Sequence, residues 1–539
     1  MRAASRPSES VAKNSTQPRS DRSFAARLDW LAAAGNSDLV RRGARGVEKE
    51  SLRVGANGQL SHRAHPAALG AALTHPYLTT DYSEALPEFV TPPQPNNWET
   101  LQFLCDLHAF VHRRLDGELL WPASMPCVLN ANEEIPIAQY GASNLGLMKT
   151  VYRRGLGYRY GRAMQAIAGV HFNYSLPAEF WPAYGEFVGV RDAGTDFRSA
   201  HLMGLVRNYR RYAWLVTYLF GASPAVCKSF RPEGHEILES FDDATWYAPF
   251  ATSLRMSDLG YRNKTQARLS ISANSLAAYV AGLAAAVSTV EPRYAEIGVK
   301  VDGEYRQLNA NILQIENEYY SAIRPKPTKA TKARPTVALR MHGVEYVEIR
   351  TLDLNPIDPV GINQNQLRFL EAMLIFCLLA ESPPLDASEQ AAIDGRDLLV
   401  AREGRRPGLT LVEHGRSRTL RDWGLELTEQ IRAVADVLDE NPEGYVAAVD
   451  GAVDALHEPE RTPSAGLLQD LETEQAGFFE YAHALARAHH DYFAAMPLAG
   501  ERDEWLAAVA TRSLAEQAAL ERDSVESFDD YLSRYFSVV

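Results

Sequence analysis

Glu48 and Glu50 stand two residues apart in GVEKESLRV, residues 46 to 54. In a strand, side chains at i and i+2 share a face about 7 Å apart, so both carboxylates would point the same way. Other stretches repeat the pattern. In GVHFNYSL, residues 169 to 176, His171, Asn173 and Ser175 alternate with Val170, Phe172, Tyr174 and Leu176. VEYVEIR, residues 344 to 350, aligns Tyr346, Glu348 and Arg350, and LQIENEYY, residues 313 to 320, aligns Gln314, Glu316, Glu318 and Tyr320. EALPEFV, residues 84 to 90, does the same with Glu84 and Glu88, although Pro87 restricts it to an edge or irregular position.

A half-exposed antiparallel strand also alternates, its polar side simply wet. Acidic residues are depleted in strands, however, and carboxylates side by side on one face repel. Two such charges about 4 Å apart, at an effective dielectric near 20, cost about 4 kcal/mol, enough to drive one carboxyl towards neutrality. A divalent cation reverses that penalty, because Mg2+ takes hard oxygen ligands and completes its octahedron with substrate phosphates. Several acidic strands in one chain therefore predict a metal-phosphate site. There is no GxxxxGK[ST] loop, and GLGYRYG at residues 155 to 161 departs from GxGxxG. That leaves a scaffold in which strand carboxylates hold metals and the metals hold ATP. Arg350, beside Glu348, and Arg255, in TSLRMSDLGY, have the charge to neutralise a transferring phosphoryl group.

The elements that position these groups are mixed. Between residues 25 and 360 helical patterns alternate with strand-like runs, and from about 362 onward the chain reads almost entirely as amphipathic helix. MLIFCLLA, residues 373 to 380, is too short to cross a bilayer and reads as a core helix. PKPTKATKARP, residues 325 to 335, reads as a basic loop, and His489 and His490 as surface residues of a helix. The net charge of -13 argues against nucleic acid and anionic membranes as partners. Cys105, Cys127, Cys227 and Cys377 form no CxxC pair, which fits a reducing cytoplasm better than a disulfide framework or a zinc site. Residues 1 to 24, rich in Ser, Arg and Pro without an apolar run, read as a disordered tail rather than a secretory signal.

The blocks RGVEKESLRV, ALTHPYLTTDYSEALPEFVTP, WPASMPC, AQYGASNLGLMKTVYRRGL, AGVHFNYSLP, YLFGASPA, ATSLRMSDLGY, LQIENEYYSAIRPK, YVEIRTLDLNP and GRRPGLTL occur in this order. Together they resemble the successive motifs of proteobacterial glutamate-cysteine ligases, over most of residues 25 to 411. The resemblance implies an α+β fold with a glutamine-synthetase-like core: a curved antiparallel sheet forming a funnel, surrounded by helices. Residues 25–411 would be the ligase core and 412–539 a helical region packed on it. It also implies ATP-dependent joining of the glutamate γ-carboxylate to the cysteine amine through a γ-glutamyl phosphate, the first step of glutathione biosynthesis.

By matching motif positions, the resemblance makes Glu48, Glu50, Asp81, Glu88, His171 and Glu348 ligands of two or three Mg2+ ions, with Mn2+ as a substitute. Arg255 and Arg350 would contact the phosphoryl group and Arg324 and Lys326 the nucleotide, with Tyr152, Leu156, Tyr261 and Tyr320 lining the cysteine pocket. The implied partners are the small molecules glutamate, cysteine and ATP, with a cytoplasmic monomer expected. The family pattern has Phe and Leu where this chain has Tyr82 and Pro87, so these two bear on the cysteine pocket and on the carboxylate of Glu88. The alternatives are a ligase for another amine, a Mg-dependent phosphotransferase, and a silent relative that has lost its ligands.

Overall fold

The structure, a computed structural model, describes residues 23–537 except 34, 127, 130–134, 231–236, 261–268, 270, 329–332, 414 and 440–443. Most of the tail expected over residues 1–24 and Tyr261 thus lie outside the described residues.

The centre is an open six-stranded sheet. Its strands are β1 (Ala44–Glu50), β2 (Leu78–Thr80), β3 (Pro87–Val90), β4 (Val170–Ser175), β5 (Ile323–Lys326) and β6 (Tyr346–Leu352), in the order β5-β6-β4-β1-β3-β2. Every pairing is antiparallel, so one face collects alternate residues from strands far apart in sequence. Register decides which residues meet. Glu48 lies opposite His171, Glu50 opposite Glu88, and Glu348 between Asn173 and Arg324.

The opposite face is the floor of the main core. Val47, Phe89, Val170, Phe172, Val347 and Ile349 are fully buried there, each contributing about 1.5–3 kcal/mol relative to exposure. Helices α1 (Asn97–His112), α3 (Thr195–Phe220) and α4 (Gln364–Leu379) cover that side, while α2 (Asn144–Tyr160) joins the other. A capping box of Asn363 and Gln366 starts α4, and its run MLIFCLL is buried throughout, as expected for a core helix. Lys49, between the two glutamates in sequence, points into this core. Burial pulls its ammonium down to about 7, and it lies over the Phe89 ring.

Several expectations are corrected. LQIENEYY is no strand; Glu316–Glu318 form a single 3-10 turn. Its acids are consumed locally, Glu318 Oε2 accepting from Gln314 N (2.7 Å) and Glu316 pairing with Arg334 (3.1 Å). Glu84 does not share the face of Glu88, because its carboxylate accepts from the backbone N–H groups of His65 and Gln139 in a turn. Pro87 sits at the first position of β3, an interior strand, where a missing N–H is tolerated; its carbonyl accepts from Ser51 N at 3.1 Å. Pro325 and Lys326 belong to edge strand β5 rather than to a loop. His489 is buried, and His490 Nδ1 lies 3.2 Å from His112 Nδ1.

One buried ion pair anchors β1 to α4. Arg45 and Glu371 are 1% and 0% exposed, and Glu371 also accepts from Asn97 (3.1 Å) and Tyr445 (2.8 Å). Glu371→Ala strands the guanidinium, so a loss of about 3–5 kcal/mol is expected in chemical denaturation. A midpoint within experimental error of the parent would contradict this.

Candidate metal and nucleotide site

Three strands bring three candidate ligands together. Atoms of Glu48 (β1), His171 (β4) and Glu348 (β6) all lie within 4.8 Å of one another. His171 Nδ1 is 3.2 Å from Glu48 Oε2, 3.6 Å from Glu348 Oε1 and 3.3 Å from Arg350 Nη1. Burial and the Arg350 guanidinium keep the imidazole neutral, the form that binds cations. Burial is the largest influence on Glu48 and would raise it, but the His171 hydrogen bond and the favourable electrostatics of His171 and Lys326 together hold the carboxyl at about 2. Burial is likewise overcome at Glu348 by Lys326 (2.7 Å), Arg350 and Arg324, which hold it well below the usual carboxylate range.

Beside this cage Glu50 and Glu88 have the opposite character. Burial and the charge of Asp81 push Glu50 up to about 8, despite Arg255, Arg350 and a hydrogen bond from Gly169 N (2.7 Å). Glu88 rises well above its ordinary value through burial and the charges of Glu48, Asp81 and Glu50. These carboxyls are short of positive charge. Asn173 points the same way: Nδ2 donates to Glu48 Oε1 (3.2 Å), while Oδ1 is buried without a partner. Orphaned oxygen, neutral imidazole and crowded carboxyls together fit hard divalent cations.

A pH dependence follows. A carboxyl whose folded-state pKa is raised binds more protons folded than unfolded, so the cation-free protein loses stability as pH rises from the unfolded value of Glu50, 4.5, through its folded value of about 8. Cation binding requires the deprotonated form and removes that loss. The rise in Tm on adding Mg2+ is therefore expected to be larger at pH 8 than at pH 6. An equal or reversed shift would refute the pairing of these carboxyls with a cation.

Two clefts flank the carboxylates. One, of about 140 Å3, is lined by Glu50, Asp81, Tyr152, Leu156, Tyr320 and Arg350 among others. It also contains Tyr82, Arg153, Gln165 and Asn317, which the alternation patterns did not single out. The second, of about 180 Å3, has Tyr279, Leu283 and Tyr346 on its walls and Lys326 beside them. Arg324 and Asn317 line both. A larger cavity of about 310 Å3 lies elsewhere, and its arginines are occupied: Arg211 by Glu389 (2.6 Å), Arg396 by the carbonyls of Val412 and Arg211.

Arg255 is not among the residues that line the first cleft. It donates to the Arg350 carbonyl (3.1 Å) and lies 3.7 Å from Asp353, which Ser223, Ser253 and the Ala222 N–H hold. Gly169 makes room for it, since a Cβ there would stand 2.0 Å from Arg255 Nη2. In the same way Gly155 and Gly157 serve packing inside α2, where a Cβ on Gly155 would meet Gln314 Oε1 at 2.2 Å, while Gly161 ends the helix at φ 82°.

Residues 28–399 match the family model described as "Glutamate-cysteine ligase". A glutamate-cysteine ligase from Azotobacter vinelandii is 49% identical over 518 residues, 95% of this chain and 98% of that protein. One from Alcanivorax borkumensis is 48% identical over 500 residues, 91% and 95% of the two chains. The crystal structure of a glutamate-cysteine ligase from Francisella tularensis in complex with AMP superposes with a TM-score of 0.87 at 35% identity, covering 92% of this chain and 98% of that one. The chain belongs to the glutamate-cysteine ligase family.

As a glutamate-cysteine ligase it is an ATP-dependent carbon-nitrogen ligase, and the α+β architecture with an open antiparallel sheet is that family's. Among the described residues no helix is long and apolar enough to cross a membrane.

Proposed function

We propose that this ligase carries out its reaction across the carboxylate face of the sheet, with ATP in the cleft of Tyr279 and Tyr346 and the two amino acids in the cleft of Tyr152 and Tyr320. The observation that carries this reading is the meeting of Glu48, His171 and Glu348 within 4.8 Å, between two clefts that share Arg324. Two or three Mg2+ ions, with Mn2+ as a substitute, would be held by that cage and by Glu50, Asp81 and Glu88. Such ions supply charge neutralisation for phosphates and carboxylates.

The chain's own residues have separable tasks. Lys326 and Arg324 draw the triphosphate towards the sheet, and Tyr279 and Leu283 give the base an apolar wall. A γ-carboxylate oxygen of glutamate attacks the γ-phosphorus, and the bond to the bridging oxygen of ADP breaks. Arg350, held by burial against Glu348 and Glu50 and kept charged, stabilises the transferring group, while Arg255 fixes the Arg350 backbone. The cysteine amine then attacks the acyl carbon of γ-glutamyl phosphate, and inorganic phosphate leaves. The proton lost from nitrogen passes to a carboxylate of the Glu50, Asp81 and Glu88 group, of which Glu50 and Asp81 line the same cleft.

Leu156, Tyr152 and Tyr320 give the amine cleft an apolar lining suited to a small uncharged side chain. Cys105, Cys227 and Cys377 are free thiols, which suits the cytoplasm, and a monomer is the oligomeric state proposed. The test omits ATP, glutamate or cysteine in turn and identifies the product by mass. γ-Glutamylcysteine formed only with all three supports the reading; ADP release that needs no amino acid would replace it with a phosphotransferase or hydrolase.

A further inference from the structure

The C-terminal helix α5 (Phe528–Ser537) stands apart from the main core. Its Leu532 packs with Met148, Val151, Leu308 and Ile315 in a small separate cluster, against which Tyr152 and Tyr535 rest. Met148, Val151 and Tyr152 belong to α2, and the same helix presents Tyr152, Arg153 and Leu156 to the first cleft, so Tyr152 touches both cluster and cleft. The approach to α5 is tied down as well: Ser524 Oγ accepts from Asn144 N (2.8 Å) and the Glu526 carbonyl from Asn144 Nδ2 (2.9 Å), at the start of α2.

The same helix reaches the opposite wall. Tyr535 and Phe536 face the Arg334 guanidinium at 5.5 and 5.8 Å, and Arg334 pairs with Glu316 at 3.1 Å, one residue before Asn317 of the cleft lining. Asp529 holds Lys300 (3.3 Å) and the Tyr305 hydroxyl, and the Tyr305 carbonyl accepts from Arg154 of α2 at 2.6 Å. One helix thus reaches both clefts by different residues: Leu532 packs towards Tyr152 of the first, whereas Tyr535 and Phe536 act through Arg334 on Glu316, which lines the second.

We propose that α5 positions the amine-substrate cleft, with Leu532 as its central positioning residue, so that the C-terminal segment sets the affinity for cysteine without taking part in phosphoryl transfer. This rests on the assignment of that cleft to the amine. A wall displaced by about 1 Å is enough to weaken productive binding by one to two orders of magnitude.

The experiment measures KM for cysteine, glutamate and ATP, with kcat and Tm, in Leu532→Ala, Leu532→Met, Val525→Ala and Asp529→Lys. Leu532→Ala is expected to raise KM for cysteine roughly tenfold, with the other two within about twofold, and Leu532→Met to restore most of it. Val525, 91% exposed in the same segment, is the control and leaves all three unchanged on replacement. If Leu532→Ala fails to fold, Asp529→Lys carries the test: it repels Lys300 at the surface without opening a cavity, and the swap with Lys300→Asp should recover the cysteine KM. Unchanged values, or an equal rise for all three substrates, would overturn the proposal. A parent enzyme that makes no γ-glutamylcysteine would instead remove the reading on which it rests.

Discussion

Glu348→Gln should lower kcat by roughly 10²–10³-fold while leaving the protein folded, with a lower Tm than the parent. The substitution keeps shape and volume but removes the charge that Lys326, Arg350 and Arg324 converge on. It also weakens the cage at its more deeply buried carboxylate, leaving Lys326, Arg350 and Arg324 facing a neutral amide. Because Glu348 is flanked by Asn173 and Arg324 in register, neither neighbour supplies a replacement carboxylate. Glu48→Gln should fall in the same range, and its loss should not add fully to that of Glu348→Gln, since both act through one cage. Near-normal turnover in either single variant would exclude the cage from the reaction.

Arg350→Lys is the second large effect, an expected loss of roughly 10²-fold in kcat with a smaller change in KM for ATP. Arg350 Nη1 contacts the Glu348 carboxylate and lies 3.3 Å from His171 Nδ1, so one planar group orders two of the three cage residues. A lysine retains the charge, yet its single ammonium, once placed on both, leaves no second nitrogen to face the cleft. Single-turnover formation of ADP isolates the step. Full activity in Arg350→Lys would show that only charge is needed there and would remove the geometric role of the guanidinium.

The strands that carry the chemistry were legible because alternation is a strong signal when one face is wholly apolar. Val170, Phe172 and Tyr174 mark the core side of β4 without ambiguity, and Val47 and Ile349 do the same for β1 and β6. LQIENEYY has the same period with a different cause. Its glutamates satisfy Gln314, Arg159, Arg334 and Thr336, and such local partners leave no trace in spacing. Glu84 misled for the same reason, its carboxylate serving two backbone N–H groups across a turn.

Contacts between distant segments were the least legible. Gly155 and Gly169 are ordinary glycines in sequence, and only the approach of Gln314 and Arg255 gives them a purpose. His489 reads as a surface residue from its helix, yet that helix is covered by α1, and burial pulls the imidazole down to about 4. The brace of α5 against α2 joins residues more than three hundred positions apart, beyond the reach of any local period.

The claim beneath all of this is that acidic side chains from separate strands form one cation site. The most direct measurement is an anomalous-difference map from crystals of the full chain grown with Mn2+ and a non-hydrolysable ATP analogue. Peaks should appear roughly 2.0–2.4 Å from atoms of Glu48, His171 and Glu348, with a further peak among Glu50, Asp81 and Glu88. A map with the nucleotide bound and no peak on that face of the sheet would contradict it.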